Sequence, residues 1–119
     1  MTRGVAAIAF LVLGALVAVS LGPFPLPDMP EPLEPLPHAI AYAAATFCLL
    51  TVLEGRGDLR RPVIGVVALS IFLMGVGLEL GQIAVGRDVE LADVLANALG
   101  VVTAVVGVSL IRSARRPDR

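Results

Sequence analysis

The sequence predicts an all-α fold, a single domain over residues 1–119 built as a bundle of four antiparallel transmembrane helices. Three observations predict it. Hydrophobic residues make up 57% of the 119 residues and the mean hydropathy is +0.91, above the roughly 45–50% apolar fraction of soluble domains. The apolar residues gather into four stretches, at about 4–22, 37–53, 62–85 and 91–111. Each approaches the roughly 20 residues that a helix needs to cross about 30 Å of hydrocarbon. Finally, proline, glycine and charge concentrate between the stretches, where helices would stop.

The first span holds Val, Ala, Leu and Ile with little else. Ala7, Gly14 and Ala18 lie near one face and would admit a close neighbour; a plain lipid-facing helix is the other reading. A cleaved signal peptide is an alternative, given the basic start and the small residues around Ala18-Val19-Ser20. The apolar run reaches Gly22, however, long enough to be retained. Next comes PFPLPDMPEPLEPLP, which holds seven of the nine prolines. Proline fixes φ and lacks an N–H, so the loop at 23–36 is expected as an extended, acidic strap on the outer surface.

The second span opens with Pro37, well placed in a first helical turn. His38 and Tyr42 then share a face that continues through Ala45 and Leu49, and Cys48 is read as a small buried apolar residue. EGRGDLRRP, residues 54–62, reads as a short solvated turn. The third span carries Glu79 and Gln82 near its far end, three apart and so on one face, with Gly75 and Gly86 on the same stripe. The fourth begins near Leu91. Its Asp93 and Asn97 share a face that continues as Gly100, Ala104 and Gly107, residues small enough for tight packing. The short connections at 54–61 and 86–90 are expected to make consecutive helices neighbours.

Charge gives an orientation. All nine basic residues are Arg, and the net charge of −1 offers no field for nucleic acid. Arg3, Arg56, Arg60, Arg61, Arg112, Arg115, Arg116 and Arg119 fall on one side of a four-span topology, and Arg87 falls on the other. Basic residues mark the cytoplasmic side, so both termini are expected in the cytoplasm. His38, Tyr42, Glu79, Gln82, Asp93 and Asn97 then share the outer half, beneath Arg87, while the inner halves stay apolar. The inference is a shared polar pocket opening outward. A carboxylate facing lipid near the bilayer centre costs about 2.5–3.5 kcal/mol, which favours burial of Glu79 inside the bundle.

The order of these residues resembles the VanZ-like family of small bacterial membrane proteins. The resemblance rests on HAIAY from His38, ELGQ from Glu79, Gly86-Arg87, and DVLANALG from Asp93, and it covers residues 34 to 107. Glu34 and Pro35 stand where that family often has Asp-Lys, so a role needing that cation is in doubt. The resemblance implies a multi-pass protein of the bacterial cytoplasmic membrane, in a family named after a component linked to glycopeptide resistance, and it implies no particular reaction.

The residues themselves leave three readings. The first is a binding protein in which His38, Tyr42, Glu79, Gln82, Arg87, Asp93 and Asn97 contact a lipid headgroup, a cell-wall precursor or an amphiphilic drug. The second is an enzyme on an outward-facing lipid or glycan, with His38 and Glu79 or Asp93 as the acid–base pair. The third, a small transporter, is disfavoured because no polar relay crosses the inner half. Hydrogen bonding that merely fixes helix packing is the structural alternative for Glu79, Asp93 and Asn97. Arg87 suits an anionic headgroup or an ion pair with Asp93 or Glu79 equally well, and Asp88 and Glu90 read as solvated loop charges. One His with two acids can ligate a metal, but with a single His and no Cys nearby no metal or other cofactor is expected. Homo-oligomerisation stays open.

Overall fold

The computed structural model describes residues 2–21, 35–86 and 88–117. It consists of helices α1 (Thr2–Leu21), α2 (Leu36–Gly55), α3 (Arg61–Ala84) and α4 (Leu91–Arg115), with no strand among the described residues. Most of the proline-rich strap (23–34) and Arg87 lie outside the described residues. By length and composition α2, α3 and α4 can each cross a bilayer; the described apolar stretch of α1, Ala6–Ala18, is shorter. At 1.5 Å per residue, α3 and α4 are each about 36–38 Å long.

The helix boundaries have local causes. Pro37 and Pro62 each occupy the first turn of a helix, where a missing N–H costs nothing. α2 ends on Gly57 at φ +77°, with Gly57 N donating to Glu54 O and Asp58 N to Leu53 O. That pair of bonds is the Schellman closure, which requires a left-handed residue that glycine supplies without strain. Gly86, at φ +78°, closes α3 similarly by donating to Ile83 O. In α4, Asp93 lies in the first turn and Arg112 and Arg115 in the last, each complementing the helix dipole.

α2 and α4 run in the same direction, since their first turns meet at His38 and Asp93 and their last at Glu54 and Arg112. α3 runs the other way and brings Glu79, near its end, beside His38. The most extensive interface joins α2 to α4, which are not consecutive, whereas α2 touches α3 only modestly. Loop length alone therefore misplaces the closest pair. The cause is Gly100, which lets the α4 backbone rest on the Ala39 carbonyl and the Ala43 amide. α1 packs on α2 and less on α3, through Ala9 and Leu16. Ala7, Gly14 and Ala18 are exposed, so that small-residue face is not the packing face.

A buried cluster of Leu16, Tyr42, Leu50, Ile71, Val101 and Val108, among others, forms the core. Outside it, Leu69, Leu73, Leu80, Leu95, Leu99 and Leu110 are each more than half exposed. Such an apolar jacket is unfavourable in water and suits a lipid surround. The turn at 56–60 is not wholly hydrated as its composition suggests. Leu59 is buried, and the Arg112 guanidinium donates from Nη2 to the Leu59 carbonyl at 3.0 Å while lying 3.4 Å from Glu54.

Candidate functional site

Three helices each place one ionisable residue at the same end of the bundle. His38 is in the first turn of α2, Asp93 in the first turn of α4, and Glu79 in the second-last turn of α3. Because α3 is antiparallel to the other two, these positions fall at one height. The imidazole stands between the two carboxylates. Nδ1 is 3.8 Å from Glu79 Oε1, and Nε2 is 3.7 Å from Asp93 Oδ2. Both distances exceed the roughly 2.7–2.9 Å of a charge-assisted N–H···O bond. The ring thus lies in ion-pair range of both acids without a hydrogen bond to either.

Burial differs across the three. Glu79 is 2% exposed, while the His38 and Asp93 side chains keep 20% and 15%. Glu79 faces the bundle interior, as the cost of a carboxylate in lipid requires. Its Oε2 is fully buried and makes no hydrogen bond among the described residues.

One turn further into the bundle, Tyr42, Gly75 and Asn97 repeat the arrangement, each four residues from its ionisable counterpart. A Cβ on Gly75 would sit 2.8 Å from Tyr42 Cε1 and 3.0 Å from Asn97 Nδ2, so the absence of a side chain there lets α3 close on both. Tyr42 and Asn97 are 1% exposed, and neither polar atom of the Asn97 amide has a partner among the described residues. Gln82, one turn nearer the end of α3 than Glu79, is also buried.

The structure therefore brings together His38, Glu79 and Asp93, with Tyr42 and Asn97 beneath them. Arg87, expected to cap the cluster, lies outside the described residues, and Asp88 and Glu90 are exposed as anticipated. Thr46 was missed by sequence reasoning. It is fully buried with an unpartnered hydroxyl, and its signal was the spacing His38, Tyr42, Thr46 at successive intervals of four. The Glu54–Arg112 pair at the opposite end was also missed; both residues occupy the last turns of parallel helices.

Chemically the cluster combines two acids with one group able to accept or donate a proton, beside a buried amide. It can exchange protons, coordinate a cation, or orient a polar headgroup. Fold and site together define an all-helical bundle with helices long and apolar enough for a membrane and an ionisable cluster near one end. Comparison with protein-family models, curated proteins and solved structures finds no match.

Proposed function

We propose that this chain is a VanZ-like protein of the bacterial cytoplasmic membrane that binds the polar head of an envelope amphiphile at the external leaflet. The ligand class spans a lipid headgroup, a cell-wall precursor and an amphiphilic antibiotic, all of which join an anionic or hydrogen-bonding head to an apolar tail. The carrying observation is the convergence of His38, Glu79 and Asp93 from three helices at one end of an apolar bundle. An intramembrane ionisable residue is a functional candidate by default, and here three share one place.

The distribution of Arg supports the orientation. Arg56, Arg60, Arg61, Arg112, Arg115 and Arg116 lie at the end opposite the cluster, and the positive-inside rule assigns that end to the cytoplasm. Both termini are then cytoplasmic and the cluster faces outward. In this reading Arg87 contacts the anionic part of the head, and Tyr42, Gln82 and Asn97 line the floor. Native mass spectrometry of the protein extracted with phosphatidylglycerol-containing lipid tests it. Wild type should retain anionic lipid and Arg87→Ala should retain at least tenfold less; equal retention would remove the assignment.

A second reading, acid–base catalysis on an outward-facing lipid or glycan, is favoured by the imidazole standing between two carboxylates. There Glu79→Gln abolishes turnover while leaving ligand retention intact, and product yield unchanged by that substitution excludes it.

A further inference from the structure

We propose that His38, Glu79 and Asp93 form a binding site for one divalent transition-metal ion of the zinc type. Each residue can direct one ligand atom so that all three lie within 4.8 Å of one another. Zinc bonds imidazole nitrogen and carboxylate oxygen at about 2.0–2.2 Å, which sets tetrahedral donors roughly 3.4 Å apart. Drawing the widest pair to that spacing takes a closing movement of about 1.4 Å, with one ring nitrogen ligating and the carboxylate now beside the other nitrogen turning towards the ion. One nitrogen and two carboxylates also leave a fourth position open, as catalytic and ligand-exchanging zinc sites do.

A second observation points to a ligand here independently of the clustering. Among the described residues, Glu79, 2% exposed, has no hydrogen-bond partner for Oε2, and Asn97, 1% exposed and one turn beyond Asp93 on α4, has none for either polar atom. Buried polar atoms are normally paired, and here one imidazole stands against two carboxylates. A divalent ion balances the two carboxylates one for one. Among the described residues, the arginines of α2–α4 and the 56–60 turn lie at the opposite end.

Donor type selects the ion. Imidazole suits zinc and its neighbours, whereas magnesium prefers all-oxygen octahedral sites that keep several waters. A single His with no Cys nearby argues against a metal when the sequence is read alone; the tertiary fold supplies the two further donors from α3 and α4. The site goes beyond the headgroup reading and does not depend on it.

The test uses the full chain in lipid-free detergent micelles, stripped with a chelator and titrated with Zn²⁺ against a chromophoric competitor. The wild type should take up one equivalent, undisturbed by a hundredfold excess of Mg²⁺. Glu79→Gln and Asp93→Asn, both near-isosteric, should each weaken uptake at least tenfold. Co²⁺ bound to the unaltered chain should show the visible bands of a low-coordinate nitrogen–oxygen site, a readout that needs no variant to fold. No stoichiometric uptake by the wild type, missing cobalt bands, or uptake undiminished in folded variants would each overturn the site. Because no lipid is present, such a failure leaves the headgroup reading standing, and lost lipid retention leaves the metal site standing.

Discussion

Gly100 of α4 rests directly on the backbone carbonyl of Ala39 in α2, with no room for a side chain between them. This one approach sets the distance between the two helices whose first turns carry Asp93 and His38. The obstruction is backbone, which cannot swing aside as a side-chain tip can. Gly100→Ala should therefore destabilise the protein by about 1–3 kcal/mol, the range for overpacking. Gly107→Ala, inside α4 with nothing within 4 Å of the added methyl, should leave stability unchanged or raise it by up to about 1 kcal/mol, the helix-propensity gain. Denaturant unfolding in mixed micelles compares the two, and equal effects would refute the tight α2–α4 contact.

Gly75 faces the Tyr42 ring at a distance that a methyl group would violate. Gly75→Ala should destabilise, and Tyr42→Leu should relieve part of that cost by removing the ring. The double-mutant cycle should give a coupling of about 0.5–3 kcal/mol, as for residues in contact. Simple additivity would mean that α3 does not close on α2 at this point.

Asn97 is buried with both polar atoms unpartnered among the described residues. No hydrogen bond is lost when it becomes Leu, and replacing an unpaired polar group with an apolar one of similar volume is close to neutral or stabilising. Asn97→Leu should hold stability to within about 1 kcal/mol of wild type or raise it. The same variant should lose retained lipid if the amide lines the binding floor. Thermal unfolding and native mass spectrometry on one sample read the two effects separately.

Arg112 links the last turns of α2 and α4 to the 56–60 turn through Glu54 and the Leu59 carbonyl. The ion pair is partly exposed and should contribute about 0.2–1 kcal/mol; the charged hydrogen bond to Leu59 adds about 1.5–3 kcal/mol. Arg112→Ala should thus cost more than Glu54→Gln. Hydrogen exchange should show faster opening of residues 56–60 in Arg112→Ala, and unchanged protection would dismiss the link.

The proposed orientation places Asp58 and Ser113 on one side and Asp88 on the other. With Cys48 replaced by Ala, single cysteines at Asp58 and Ser113 should resist a membrane-impermeant thiol reagent in intact cells, whereas one at Asp88 should react. The opposite pattern would invert the topology.

Several features were legible in the residues alone. Four apolar stretches separated by proline, glycine and charge set the helix count, α2, α3 and α4 meet the length rule for a bilayer, and Pro37 marks a helix start by local backbone chemistry. Placing His38, Glu79 and Asp93 at a common height also followed from alternating helix direction, which a one-dimensional pattern encodes.

Lateral arrangement did not follow. Residue spacing gives a helical face but not which helix that face meets, so the pairing of α2 with α4 and the exposure of Ala7, Gly14 and Ala18 were settled by packing. The same holds for the imidazole between its two acids and for the unpartnered atoms of Asn97 and Thr46. The sequence by itself determined that there would be helices, how long, and at what depth their polar residues would lie, since those properties depend on contiguous residues. Only the tertiary structure decided which polar atoms approach one another. That outcome depends on interhelical distances, here governed by the small cross-sections of Gly75 and Gly100, and no local stretch of chain contains them.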